Sequence, residues 1–209
     1  MKQNDKLIYG IVGALIGGII VWFVAGNVAN GTMMGTRNQN NMSNTSQGNM
    51  MAGNIDRRFI EQMIPHHESA ITMAKLAQTK AQRPEVKQLA NNIIDSQGKE
   101  IILMEDWYKT WYGSDVPKSD QAGNQHGMMG NNSGMMGDSS DMTKLEQAED
   151  FDKVFVEEMI PHHQMAVMMA TMLKSGTERI EMKKLADDIS KSQTQEIDQM
   201  QQWLNDWEK

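Results

Sequence analysis

Apolar positions along the chain fall into a helical rhythm, and they do so twice. Phe59, Met63, Ala70, Met73, Ala74 and Ala77 recur at the spacing of one helix face, which predicts a helix over about residues 55–79. Val86, Leu89, Ile93, Met104, Trp107 and Trp111 predict a second over about residues 84–111. Pro84 suits its first turn, where a missing N–H costs nothing. Displacing the chain by 96 positions lays residues 56–111 on 152–207 without a gap. Phe59, Met63, His66, His67, Met73, Leu89, Ile93, Gln97, Glu100, Met104, Trp107 and Trp111 then all fall on identical residues. A match of that length marks an internal repeat. Each unit reads as a helical hairpin, the second broken at its turn by Gly176. One hairpin leaves its apolar stripe in water, whereas two can bury theirs together. The expected fold is therefore all-α: a four-helix bundle built from two hairpin repeats, residues 55–113 and 142–209.

The segments around the repeats have another pattern. Residues 27–54 and 114–141 are Asn, Gly, Ser and Met with almost no branched apolar residue, and read as flexible linkers. Residues 7–26 are an uncharged apolar run of about the 20 residues that a membrane-spanning helix needs. Lys2 and Lys6 precede it, and the next positive charge is Arg37. By the positive-inside rule residues 1–6 stay in the cytoplasm and the rest crosses. A cleaved signal segment is the alternative; the run is long for one, and no Ala-x-Ala site follows. The expected location is extracytoplasmic, periplasmic or cell-surface, anchored by this helix, or secreted if the segment is removed.

Composition narrows the chemistry. Net charge is −7 and no run of Lys or Arg occurs, which argues against nucleic acid as a partner. The chain has no cysteine, which removes disulfides, thiolate metal sites and thiol nucleophiles, but it has 21 methionines among 209 residues. Soft sulfur is thus supplied as thioether.

Four of the five histidines occur in two copies of one phrase, MIPHH, at His66–His67 and His162–His163. On the helical wheel His67 lies on the stripe with Met63, Ala70 and Ala74, and His66 lies at its edge with Phe59 and Met73. Imidazole beside thioether suits a soft ion, Cu(I) or Ag(I). The candidate ligands are Met63, His66, His67, Met73 and Met104 in the first unit, and Met159, His162, His163, Met169 and Met200 in the second. The second unit adds Met165, Met168 and Met172, with Met168 and Met172 turned toward solvent. The two histidine pairs are not expected to be equivalent, His162–His163 being the richer in sulfur; one shared, pseudo-symmetric site across the bundle is the alternative. The second linker adds His126, Met128, Met129, Met135 and Met136 for weaker capture. Gln97, Glu100, Gln193 and Glu196 fall on otherwise apolar stripes, where polar groups need partners. The imidazoles are the obvious ones, with Glu100 and Glu196 orienting the rings. Pro65 and Pro161 either start a helix or kink one; the phase of Phe59 and Met63 with Ala70 and Ala74 favours a kink.

The doubled F-[IV]-E-x-M-I-P-H-H, with Gln-x-x-Glu-Ile-x-x-Met-x-x-Trp downstream, resembles the two-repeat, ferritin-like four-helix family of CopM-type copper-resistance proteins. The resemblance covers both repeats. It implies an extracytoplasmic protein that binds Cu(I) and Ag(I) through Met and His and protects against excess copper, by sequestering it or passing it to a copper-handling partner. Three rivals remain. A di-iron enzyme needs Glu-x-x-His pairs, and none is present; Glu61 lies five residues from His66. A haem-binding electron-transfer bundle could take one axial ligand from a histidine and the other from Met104. A membrane-anchored sensor or interaction module would need no ion. No nucleophile–base–acid constellation is visible, so the chain is not expected to be an enzyme.

Overall fold

The computed structural model describes residues 42–117 and 139–209. Residues 7–26 and the linker ligands His126, Met128, Met129, Met135 and Met136 lie outside the described residues, among which no helix is long and apolar enough to cross a membrane. Every regular element described is helical: α1 (Met42–Lys80), α2 (Pro84–Tyr112), α3 (Ser139–Glu146), α4 (Phe151–Gly176) and α5 (Ile180–Trp207). α1 packs on α2, α4 packs on α5, and the two hairpins meet along α1 and α4. The arrangement is a helical bundle.

Local chemistry sets the boundaries. Pro84 begins α2 directly after Arg83, and Gly113, at φ 71°, ends it by donating its N–H to the Lys109 carbonyl at 3.0 Å. The Asp150 side chain caps α4 by accepting the Lys153 N–H at 3.2 Å. α1 and α4 run unbroken through Pro65 and Pro161, so neither proline starts a helix. Each leaves one carbonyl of the preceding turn without its N–H partner. Gly176 is the last residue of α4, and a Cβ there would lie 2.5 Å from Ile55 Cδ1, which would have to shift.

Two linker assignments need correction. α1 already begins at Met42, so residues 42–54 are helical. Extending an existing helix needs no new nucleus, and composition, which measures burial, does not register this. α3 takes in residues 139–141 at the end of the second linker. It is held by Leu145, fully buried in the core, by Met142 packed against the same core part, and by Lys80 Nζ donating to the Glu146 carbonyl at 2.7 Å. Eight residues with two apolar contacts are too short to show a period.

The core is in two parts. One joins Ala70–Ala81 and Val86–Ile93 of the first hairpin to Phe151–Met159, Ile197 and Met200 of the second. The other joins Phe59–Ile64, Met104 and Tyr108 to Ala166–Leu173 and Met182–Ile189. The turn end of each hairpin therefore packs on the open end of the other. Along all four helices the break between the two parts falls at the same level, where the buried side chains are His66, His67, Gln97, His162, His163 and Gln193.

Each end of the bundle is locked by an exchange between repeats. Asp152, fully buried, accepts the backbone N–H of Gln82 at 3.0 Å and of Arg83 at 2.8 Å, and the Arg83 guanidinium at 3.1 Å. The same guanidinium lies 4.1 Å from the Trp207 ring centre. At the other end Arg179 pairs with buried Asp56 at 3.1 Å and lies 4.0 Å from the Trp111 ring centre. Trp107, Trp111, Trp203 and Trp207 are consequently half-buried rim residues rather than core.

Candidate metal centre

The polar layer between the two core parts brings both histidine pairs to one place. The rings of His66 and His162 are 3.8 Å apart, centre to centre, and each lies 6.3 Å from the ring of its own neighbour, His67 or His163. The two histidine pairs thus lie in one shared layer. A wheel places residues within a helix; it does not reveal that α1 and α4 run side by side and present the same turn to each other.

His67 Nε2 and Glu100 Oε2 are 2.7 Å apart, and so are His163 Nε2 and Glu196 Oε2. A carboxylate only accepts, so in each pair the proton sits on Nε2 and the Nδ1 lone pair is left free. Both Nδ1 atoms are buried without a hydrogen-bond partner. The glutamates are partly exposed, at 18 %, and reach the layer from its margin while the rings stay fully buried. The expected contact of Glu100 and Glu196 with the imidazoles is therefore present. Gln97 and Gln193 are also buried in the layer, and their Oε1 atoms lack partners; they do not bond the histidines.

His66 and His162 have no partner on either ring nitrogen. Burial pushes the His66 imidazole down to about 3 and that of His162 down to about 2, with the neighbouring histidines adding to the effect. Both are neutral at pH 7. With two nitrogens on each of these rings and one on each of His67 and His163, six buried imidazole nitrogens are unpartnered. An unsatisfied buried polar group costs about 1–3 kcal/mol, so this layer is an unfavourable way to fill a core unless something occupies it. Among the described residues, no three His, Asp or Glu side chains already form a metal cage.

The sulfurs are of two kinds. Met63 and Met104 lie buried in one core part, and Met73, Met159 and Met200 in the other, on the two sides of the layer. Met165 and Met169 are half-buried, while Met168 and Met172 are 51 % and 61 % exposed, as the wheel predicts. Sequence reasoning missed the clamp residues Asp56, Arg83, Asp152 and Arg179. The signal was present, since each falls on an identical residue under the 96-position shift.

Comparison with known proteins bears on this geometry. The profile of DUF305, a domain of unknown function, matches residues 56–204. CopM in its Cu(II)-bound form is 49% identical, with a TM-score of 0.64 over 73% of this chain and 97% of that one. CopM in its Cu(I)-bound form is 47% identical, with a TM-score of 0.61 over 73% and 96%, and an Ag-bound form is also similar. A DUF305 protein from Streptomyces coelicolor, named as secreted, is 25% identical, with a TM-score of 0.61 over 73% of this chain and 93% of that one. Protein L153 of Acanthamoeba polyphaga mimivirus is 48% identical over 49 residues, 23% of this chain; the match spans 32%, about a third, of that curated relative. With the profile covering most of its length, the chain belongs to the DUF305 family.

Proposed function

We propose that this chain binds Cu(I) and Ag(I) at the histidine layer, with methionine sulfur completing the coordination. The observation that carries the reading is the set of six unpartnered imidazole nitrogens in one layer between two apolar core parts that both contain thioethers. A soft monovalent ion satisfies such a layer without a buried carboxylate, and thioether with imidazole prefers it to harder ions. The Cu(I)- and Ag-bound forms of CopM support the same ion class, and its Cu(II)-bound form supports copper in either oxidation state. His66, His67, His162 and His163 are the nitrogen donors. Met63, Met73, Met104, Met159 and Met200 are the buried sulfur donors, and Glu100 and Glu196 hold the tautomer. His126, Met128, Met129, Met135 and Met136 add weaker capacity.

The biological role is copper resistance or homeostasis by sequestration or transfer, not catalysis. The protein is a ferritin-like four-helix bundle that works outside the cytoplasm, held to the membrane by residues 7–26, and hands copper to or takes it from a partner protein. The secreted relative supports the location. The contact of the His66 and His162 rings at 3.8 Å argues against haem, because it leaves no slot for a porphyrin between α1 and α4.

The test is an anaerobic Cu(I) titration of the full chain against a competing chelator, with metal analysis. Wild type holds copper that the chelator cannot remove, and H67A/H163A loses it while keeping its helical spectrum. Undiminished tight binding in that variant, or tight zinc binding with no response to Ag(I), overturns the reading.

A further inference from the structure

The two repeats are alike in the layer and unlike on the way to it. We propose that soft ions load and leave the histidine layer along one face of the bundle only, over a ladder of four methionines on α4. The proposal rests on the reading of the layer as a Cu(I)/Ag(I) site and assigns Met165, Met168, Met169 and Met172 a kinetic role within it.

The ladder is continuous. Met172 to Met169, Met169 to Met165 and Met165 to His162 are steps of three, four and three residues, each between neighbours on a helix surface about 5–6 Å apart at Cβ. At about 100° per residue, Met169, Met165, Met172 and Met168 fan out about 20°, 60°, 80° and 120° from His162, all to the same side. Exposure follows this fan. His162 is 8 % exposed, Met169 and Met165 are half-buried, and Met172 and Met168 are 61 % and 51 % exposed. Thioether donors therefore run without a gap from bulk solvent to the most accessible of the four imidazoles.

The equivalent face of α1 has no such ladder. Its counterparts are Met73, Ser69, Leu76 and Thr72. Met73 is buried in the core, Leu76 packs against it, and the Thr72 hydroxyl donates to the Glu68 carbonyl at 2.8 Å. His66, at 1 % exposed, is covered more completely than His162, at 8 %, although the ring nitrogens of both are buried. Packing does not account for Met168 and Met172, because side chains that exposed bury little surface. Nor do they serve as terminal ligands of the layer, since they point away from it. A weak soft donor at the surface lowers the barrier for an ion to shed its previous ligand, and each following sulfur repeats the exchange.

A relay differs from a ligand in a measurable way: it changes the forward and reverse rates by one factor and leaves the affinity alone. The test follows transfer of Cu(I) from its coloured bicinchoninate complex to the full-length protein by anaerobic stopped-flow, and the reverse transfer to added chelator. In M168L/M172L both rates fall about tenfold, equivalent to about 1.4 kcal/mol of barrier, and the final absorbance matches wild type. In S69M/T72M/L76M, which writes the ladder onto α1, transfer is faster than wild type. Unchanged rates in M168L/M172L overturn the proposal, and so does a lost bound ion with an unchanged loading rate. H67A/H163A separates the two levels: loss of equilibrium binding there upholds the layer as the site whatever the ladder variants do.

Discussion

The unpartnered histidines make the ion-free protein sensitive to mild acid, by an amount the structure allows to be worked out. His66 and His162 titrate near their ordinary 6.5 in the unfolded chain, but burial holds them down to about 3 and about 2 in the fold. For a base whose folded value is depressed, the unfolded state binds more protons in the window between the two values. Stability is thus complete above about pH 6.5 and falls as pH drops through the window. At about pH 5, roughly 1.5 units below the unfolded value, each imidazole contributes a loss of about 2 kcal/mol, and the pair about 4 kcal/mol. The contact between the two rings does not alter this figure, because both remain neutral in the fold at that pH. Against a total stability of about 5–15 kcal/mol the loss is large, and corresponds to about 8–16 °C in melting temperature for a domain of this size. The assay is urea unfolding of the apo protein, followed by far-UV circular dichroism between neutral pH and about pH 5. H66Q/H162Q, which keeps neutral polar side chains in the layer, removes the dependence, and the difference between the two proteins cancels every other titrating group. A wild-type stability that stays level across this range, or a variant with the same slope, refutes the burial of neutral imidazoles.

Four further outcomes follow from the same geometry. E100Q/E196Q lets the amide donate as well as accept, frees the tautomer of His67 and His163, and weakens Cu(I) binding about tenfold or more in chelator competition, with the fold retained. M63L/M159L keeps volume and changes stability by less than about 1.5 kcal/mol, yet lowers Cu(I) affinity; equal affinity would make these sulfurs packing groups. D152A leaves the Gln82 and Arg83 N–H groups and the Arg83 guanidinium without their acceptor, and lowers unfolding stability by about 3–5 kcal/mol with copper capacity unchanged. Deleting residues 125–137 removes His126 and four methionines; it lowers the number of ions bound and leaves the helical spectrum and the tightest binding intact.

Much of this was legible in the sequence for identifiable reasons. The 96-position repeat and the 3.6-residue period fix the two hairpins, because amphipathic helices of this length repeat one face many times. Glu100 and Glu196 were readable as partners of the histidines because a carboxylate on a buried stripe has few other uses. The shared layer was not readable, since it depends on the antiparallel docking of one hairpin on the other. That docking is set by the Arg83–Asp152–Trp207 and Arg179–Asp56–Trp111 exchanges, whose members are too far apart in the chain to form a motif. The short α3 escaped because two apolar contacts are too few to show a period, and the early start of α1 because residues 42–54 carry no apolar stripe in the sequence.

The central claim is that the histidine layer holds the ion through the nitrogens that lack partners. Selective nitrogen-15 NMR of histidine-labelled full-length protein, titrated with Ag(I), tests it directly. His67 and His163 should show large shifts at Nδ1 and keep a protonated Nε2, with one or both ring nitrogens of His66 and His162 shifting in step. Ag(I) that leaves all four rings unshifted, or that displaces the Nε2 protons facing Glu100 and Glu196, contradicts the account.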